Sequence, residues 1–157
     1  VLVLLSKCIC SMIENDKFDN DIMKKYVNKD DKDVMSKYVD YSIKRGEVDG
    51  DTLYYVSYHE ELITKCVEYL IKNGEVDSGT LIYAEDDKDL FLKCVNCLIE
   101  KGKVDNFMLR CVKNDKKLLT KCVDCLIKKG EIDEYTLEYL EDDKELYLKC
   151  KNYLENK

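Results

Sequence analysis

Residues 77–102 read DSGTLIYAEDDKDLFLKCVNCLIEKG, and this stretch predicts two helices and the turn between them. The first half predicts a short helix over about 78–85. Asp77 is its expected N-cap, with Val76 at N′ and Leu81 at N4, the spacing of a hydrophobic staple. The second half predicts a helix over 88–101, capped by Asp86 or Asp87, whose acidic first turn suits the positive end of the helix dipole. Its apolar residues Leu90, Phe91, Cys94, Val95, Leu98 and Ile99 fall at i, i+1, i+4, i+5, i+8 and i+9. That broad apolar face suits a helix flanked by neighbours in a stack. Gly102 closes it where a left-handed C′ residue fits.

The same block recurs along the chain. Gly46, Gly74, Gly102 and Gly130 stand 28 residues apart, as do Lys37, Lys65, Lys93, Lys121 and Lys149, and Cys66, Cys94, Cys122 and Cys150. The staple pair recurs as Phe18/Met23, Val48/Leu53, Val104/Leu109 and Ile132/Leu137, each around an Asp. Between consecutive copies runs the return loop Gly-x-[Val/Ile]-Asp. A period of this length marks one supersecondary unit stacked on copies of itself. The sequence therefore predicts an all-α fold, an α-solenoid of stacked helix-turn-helix repeats of 28 residues. Residues 1–157 read as a single array: 1–15 the second helix of a truncated first repeat, then 16–37, 38–65, 66–93, 94–121 and 122–149 in register, and 150–157 a capping helix.

The ends differ. Lys151 and Glu155 replace the usual Val and Ile of the second helix, which predicts the polar outer face of a C-terminal cap. Leu4 to Asn15 aligns with a second helix and carries no such cap, and the five apolar residues from Val1 lack the basic start and cleavage site of a signal peptide. The expectation is that Lys157 lies near the natural C-terminus, that Val1 is a processed or artificial start, and that the chain is part of a longer array.

Composition narrows the function. A 45% apolar fraction is enough for a core, and 38% charged residues with no Pro favour helices over a turn-rich β fold. A net charge of −7, and only Arg45 and Arg110 among 26 cations, count against nucleic acid, whose phosphates call for basic, Arg-rich patches. No stretch reaches the roughly 18 apolar residues of a membrane span, so no membrane partner is expected.

The nine cysteines admit three readings. Cys8, Cys66, Cys94, Cys122 and Cys150 share one helix position with Tyr38, and three residues on stand Ser11, Tyr41, Tyr69, Cys97, Cys125 and Tyr153. Exchange with Tyr points to packing by small, buried hydrophobes. That reading goes with a reducing, cytoplasmic compartment. Disulfides, and with them an extracellular setting, are the second reading. Equivalent residues on neighbouring helices should lie about 8–10 Å apart, beyond disulfide reach, which leaves Cys111 to a neighbouring second helix as the more plausible link. Cys10, on an otherwise solvent-facing column, is the expected free thiol. A zinc Cys₄ set from Cys94, Cys97, Cys122 and Cys125 is the third, set against by its mid-helix placement. The acidic runs lack an EF-hand's loop and Gly, and read as caps. His59 has no nucleophile in a recognised motif beside it. No catalytic residue, cofactor or metal is expected, and the chain is not expected to be an enzyme.

GTLIYA, followed by LKCVNCLIEKG and then VD, resembles the ankyrin repeat, with its TPLHxAA first helix, V-x-x-LL-x-x-G second helix and following VN or VD. Three departures qualify the resemblance. Ankyrin units have 33 residues and a β-hairpin finger where these are short. The Pro and His of the first helix are absent, and the Ala pair is reduced to Ala84, becoming Val56, Val112 or Leu140 elsewhere. The resemblance is thus to an ankyrin-like solenoid without fingers; another helical-hairpin solenoid stays open. It implies that the first helices line a concave binding face. On them the variable columns are Lys24, Tyr54, Ile82, Arg110, Glu138 and Lys25, Tyr55, Tyr83, Cys111, Tyr139, with Phe107 and Tyr135 as secondary contacts. Tyr supplies rigid, amphipathic contact area at interfaces, although Tyr55, Tyr83 and Tyr139 read equally well as fillers between repeats. The resulting expectation is a non-enzymatic protein–protein interaction module. The alternative is a segment of a long structural scaffold, secreted in one version, that spaces or assembles other modules.

Overall fold

Long and short helices alternate along the chain in the computed structural model, which describes residues 2–156, the side chains of Leu2 and Asn20 excepted. The expectations placed on Val1 and Lys157 lie outside the described residues. The helices are α1 (Leu2–Glu14), α2 (Asn20–Tyr26), α3 (Lys32–Arg45), α4 (Gly50–Tyr55), α5 (Glu60–Asn73), α6 (Thr80–Ala84), α7 (Lys88–Glu100), α8 (Asn106–Val112), α9 (Lys116–Lys129), α10 (Glu134–Glu138) and α11 (Lys144–Glu155). Among the described residues there is no strand, and the fold is all-α.

The chain divides into two compact units, residues 1–73 and 74–157, at the turn where Gly74 follows α5. In the first, α3 packs against α1 and α5, and α4 seats on α3 and α5. In the second, α7, α9 and α11 pack in chain order, α6 pairs with α7, α8 with α9 and α10 with α11, and α8 touches α10.

The helix starts follow the staple. Asp19, Asp49, Asp105 and Asp133 are N-caps in extended conformation, each accepting from the backbone N–H three residues on. Of the ten staple residues nine are buried and Leu137 is half-buried. A signal not read in the sequence strengthens two of these starts: Thr52 and Thr136 stand at N3. The Thr52 N–H donates to Asp49 Oδ1 at 2.9 Å while the Asp49 N–H donates to Thr52 Oγ1 at 3.3 Å, a capping box with Thr in the Glu/Gln place. Burial pushes the Asp133 carboxyl up, but donation by the Thr136 N–H and hydroxyl, the Asn106 amide and the Tyr135 N–H outweighs it and holds the acid below its usual range. In the second unit, successive caps are also linked, Ser78 Oγ donating to Asp105 at 2.6 Å and Asn106 Nδ2 to Asp133 at 3.2 Å.

α6 begins two residues later than expected. Asp77 still accepts from the Thr80 N–H at 2.9 Å, but Leu81 and Ile82 donate to the carbonyls of Ser78 and Gly79, three residues back. The first turn is therefore wound tightly, 3₁₀-fashion, and regular helix starts at Thr80.

The long helices end as expected. Gly46 and Gly130 adopt φ 71° and 73°, and the N–H groups of Glu47 and Glu131 reach back to Ser42 and Leu126, closing Schellman motifs. α1 closes in the same way, the Lys17 N–H donating to Met12 O at 2.9 Å, but the left-handed residue there is Asp16 at φ 55°. A Cβ is disfavoured in that conformation. Asp16→Gly is expected to stabilise the first unit by about 0.5–1 kcal/mol, read as a higher urea midpoint at unchanged slope; a lower midpoint would mean that Asp16 is held by more than its backbone.

The recurring lysine has a structural reason. Lys37, Lys65 and Lys149 pair with Glu14, Asp40 and Asp124 on the preceding long helix. All are exposed pairs, which set register more than they add stability.

The cysteine column is a packing column from α5 onward: Cys66, Cys94, Cys122 and Cys150 are 0% exposed, as is Val39 beside the equivalent Tyr38. Cys8 departs from it and is exposed, because among the described residues no short helix precedes α1 to cover it. Cys10, expected on the solvent face, is half-buried in a cleft between α1 and α3 and its thiol is pushed up by burial. In the next column, that of Ser11, Tyr41 and Cys125 donate to the carbonyls of Phe18 (3.2 Å) and Ile99 (4.0 Å). Lys151 and Glu155 are exposed on α11.

Candidate functional site

The short helices carry the variable columns because their register residues turn inward. On α8, Met108, Leu109 and Val112 are buried, which leaves Arg110 outward. Its guanidinium lies over the Phe107 ring at 4.6 Å, and Phe107 is half-buried. On α6, Leu81 and Ala84 are buried, Ile82 is 51% exposed and Tyr83 half-buried. On α10, Thr136 is buried, Glu138 exposed and Tyr135 67% exposed, while Tyr139, at the C-cap, is half-buried. Since α8 packs on α10, Arg110 and Glu138 share a register position on neighbouring helices of the second unit.

In the first unit the columns give Tyr54 and Tyr55 on α4. Tyr54 is 55% exposed; Tyr55 is 9% exposed, its ring centroid 6.3 Å from Tyr38 edge-on and 5.7 Å from Tyr54. Tyr55 therefore works from within, filling the gap between α3 and α4 and backing Tyr54. Lys24 and Lys25 are exposed on the last turn of α2.

The sequence columns omit three residues of this surface. Lys29 Nζ sits 3.3 Å from the Tyr54 ring centroid and 5.4 Å from that of Tyr55. Tyr58 and Tyr26 are 71% and 49% exposed. The overlooked signal is a spacing: from Asp19 to the next cap, Asp31, is 12 residues, against 10 from Asp77 to Asp87 and from Asp105 to Asp115. The longer loop carries Lys29.

His59 Nε2 donates to the carbonyl of Lys29 at 2.7 Å, which fixes a loop. Burial pushes the thiols of Cys66, Cys94 and Cys122 up to about 12 and that of Cys150 up to about 11, so all four are held as unreactive thiols. Among the described residues no group of three or more His, Cys, Asp or Glu could hold a metal ion, and no helix is long and apolar enough to cross a membrane.

Compared with models of protein families, with curated proteins and with solved structures, the chain matches none.

Proposed function

We propose that this chain is a non-enzymatic protein–protein interaction module, an acidic, ankyrin-like α-solenoid of 28-residue repeats that binds a partner protein on its short-helix face. One observation carries the reading. On the short helices the apolar residues that keep the register are buried, Leu137 being half-buried, whereas variable positions leave Tyr54, Ile82 and Tyr135 more than half exposed. Such side chains are costly to leave in water and are enriched at interface centres. The order of helix packing within each unit and the glycine-closed turns also support a repeat stack in the manner of the family it resembles.

The test is a triple variant, Tyr54→Ala, Ile82→Ala, Tyr135→Ala. Capture of any partner is expected to fall at least about tenfold, since each interface aromatic contributes on the order of 1–2 kcal/mol, while the thermal midpoint moves by a few degrees at most. Capture that survives the triple change removes the short-helix face from the reading. A photo-crosslinker at Tyr135 that labels nothing captured, when one at Lys72 on α5 does, would move the face to the long helices.

A second reading, a structural scaffold segment that assembles with further helices, is favoured by α1. Its Leu4 is 72% exposed, while the equivalent Val34, Leu62, Leu90, Leu118 and Leu146 are buried.

A further inference from the structure

We infer that the exposed stripe of α1 is a docking surface for a partner protein built of this same repeat, which seats a long helix, a glycine turn and a short Asp-capped helix there; this rests on the scaffold reading above and names what assembles. Three later long helices show the occupant. α5 packs against α3 and α4, α9 against α7 and α8, and α11 against α9 and α10, in each case the long and the short helix before it. Under that cover Leu62, Leu118 and Leu146 are 8% exposed or less, and Cys66, Cys122 and Cys150 are 0% exposed. At the same two positions of α1, one turn apart on one face, Leu4 is 72% exposed and Cys8 is exposed.

The contacts between successive long helices point to the same occupant. Lys37, Lys65 and Lys149 each reach an acid on the long helix before their own. Tyr41 and Cys125 reach back to the carbonyls of Phe18 and Ile99, at or just beyond the end of that preceding helix. On α1 these two positions are Lys7 and Ser11, and both are exposed. α1 thus carries both halves of the interface that the repeats make with one another. Its partner presents an acid on the long helix and, on the short one, a buried pair such as Leu109 and Val112 of α8.

A second copy of this chain does not supply that surface. The column of Ile9 faces the following long helix, for Ile9 is 3% exposed although no described helix precedes α1, and Val39, Val67, Val95 and Val123 in it are 0% exposed. On α11 the same column has Lys151, exposed and 4.0 Å from Glu155. Seating α11 on another α1 would strip water from that ion pair, which is costly. The occupant is therefore a repeat protein that ends on an apolar long helix.

The probe is a synthetic peptide of residues 116–142, which holds α9, the Gly130 turn, α10 and Asp124, the partner of Lys149. Added to the whole chain under reducing conditions, the labelled peptide is expected to give saturable anisotropy and to slow alkylation of Cys8 at least about tenfold. Leu4→Glu should weaken binding at least about tenfold, whereas Leu148→Glu on α11 should change it less than about twofold. Lys7→Glu should weaken it about threefold, and Asp124→Lys in the peptide should restore it, a recovery that a non-specific apolar contact would not give. Equal loss in Leu4→Glu and Leu148→Glu, or no recovery in the exchanged pair, would overturn the proposal. Protection of Cys8 only when residues 116–142 are joined ahead of Leu2 would place the cover in the same polypeptide and overturn the partner. Self-association of the whole chain that Leu4→Glu abolishes would make a second copy the occupant, which overturns this inference and keeps the scaffold reading. No saturation and no self-association would remove both, and would leave the test on Tyr54, Ile82 and Tyr135 untouched.

Discussion

Raising the pH from about 8 to about 10 is expected to weaken the fold steeply, by roughly 1 kcal/mol for each buried column thiol and about 4 kcal/mol for the set. Cys66, Cys94 and Cys122 are pushed up to about 12, and Cys150 to about 11, from an ordinary value of 9.0. Desolvation is the main cause in all four, since a thiolate there would sit among apolar side chains with 0% exposure. Between pH 9 and about 11–12 the folded chain keeps four protons that the unfolded chain gives up, so stability must fall as pH rises. Their stabilising contribution is complete below pH 9 and is lost as pH passes through the folded values. Urea midpoints at pH 8, 9 and 10 measure the slope. The paired variant Cys94→Ala, Cys122→Ala should halve it, because alanine fills most of the space and has no proton to lose. The lysines raised by their ion pairs, Lys32, Lys37 and Lys116, start from 10.5 and so act mainly above this range. A flat profile, or an equal slope in the paired variant, would mean that the column thiols ionise freely in the folded state.

The all-α class was legible because two independent local signals agree in most copies. A staple around an Asp starts each short helix, and a glycine closes most long ones. Both act within a few residues, so a single sequence exposes them. Properties set by neighbours were less legible. Cys8 shares its register with four buried thiols and is exposed all the same, because cover comes from a different helix. Tyr55 and Tyr54 adjoin in sequence, yet one points inward and the other outward, since α4 is flanked by both α3 and α5. The late start of α6 reflects a choice between i→i+3 and i→i+4 bonding that residues 77–80 do not decide. The candidate site was legible as a set of columns and missed Lys29 and Tyr58, which belong to a lengthened loop and a turn. A column argument follows what repeats; here the informative feature is where the repeat lengthens.

Leu109→Ala is expected to destabilise the second unit by about 3 kcal/mol, within the usual 2–5 kcal/mol for a fully buried leucine. Leu109 is 0% exposed at N4 of α8 and forms the staple with Val104, which is 3% exposed. α8 is pressed between α9 and α10, so the cavity left by the lost atoms has little room to collapse. Against a typical total of 5–15 kcal/mol, that loss is a large fraction. The informative comparison is Leu137→Ala, the same chemical change at the same register position. Leu137 is half-buried on α10, which pairs with α8 and α11, and water already reaches part of its side chain. Its loss should therefore come to about 1–1.5 kcal/mol, following the smaller area removed from solvent. Urea unfolding of the two variants, each with unchanged slope, measures the difference directly. If repeats were energetically interchangeable, the two losses would match; if burial by neighbouring helices sets the strength of each copy, Leu109 must lose about twice as much as Leu137. Equal losses would mean that the staple, a contact internal to each copy, carries the stability, and that the short helices are held from within their own repeat.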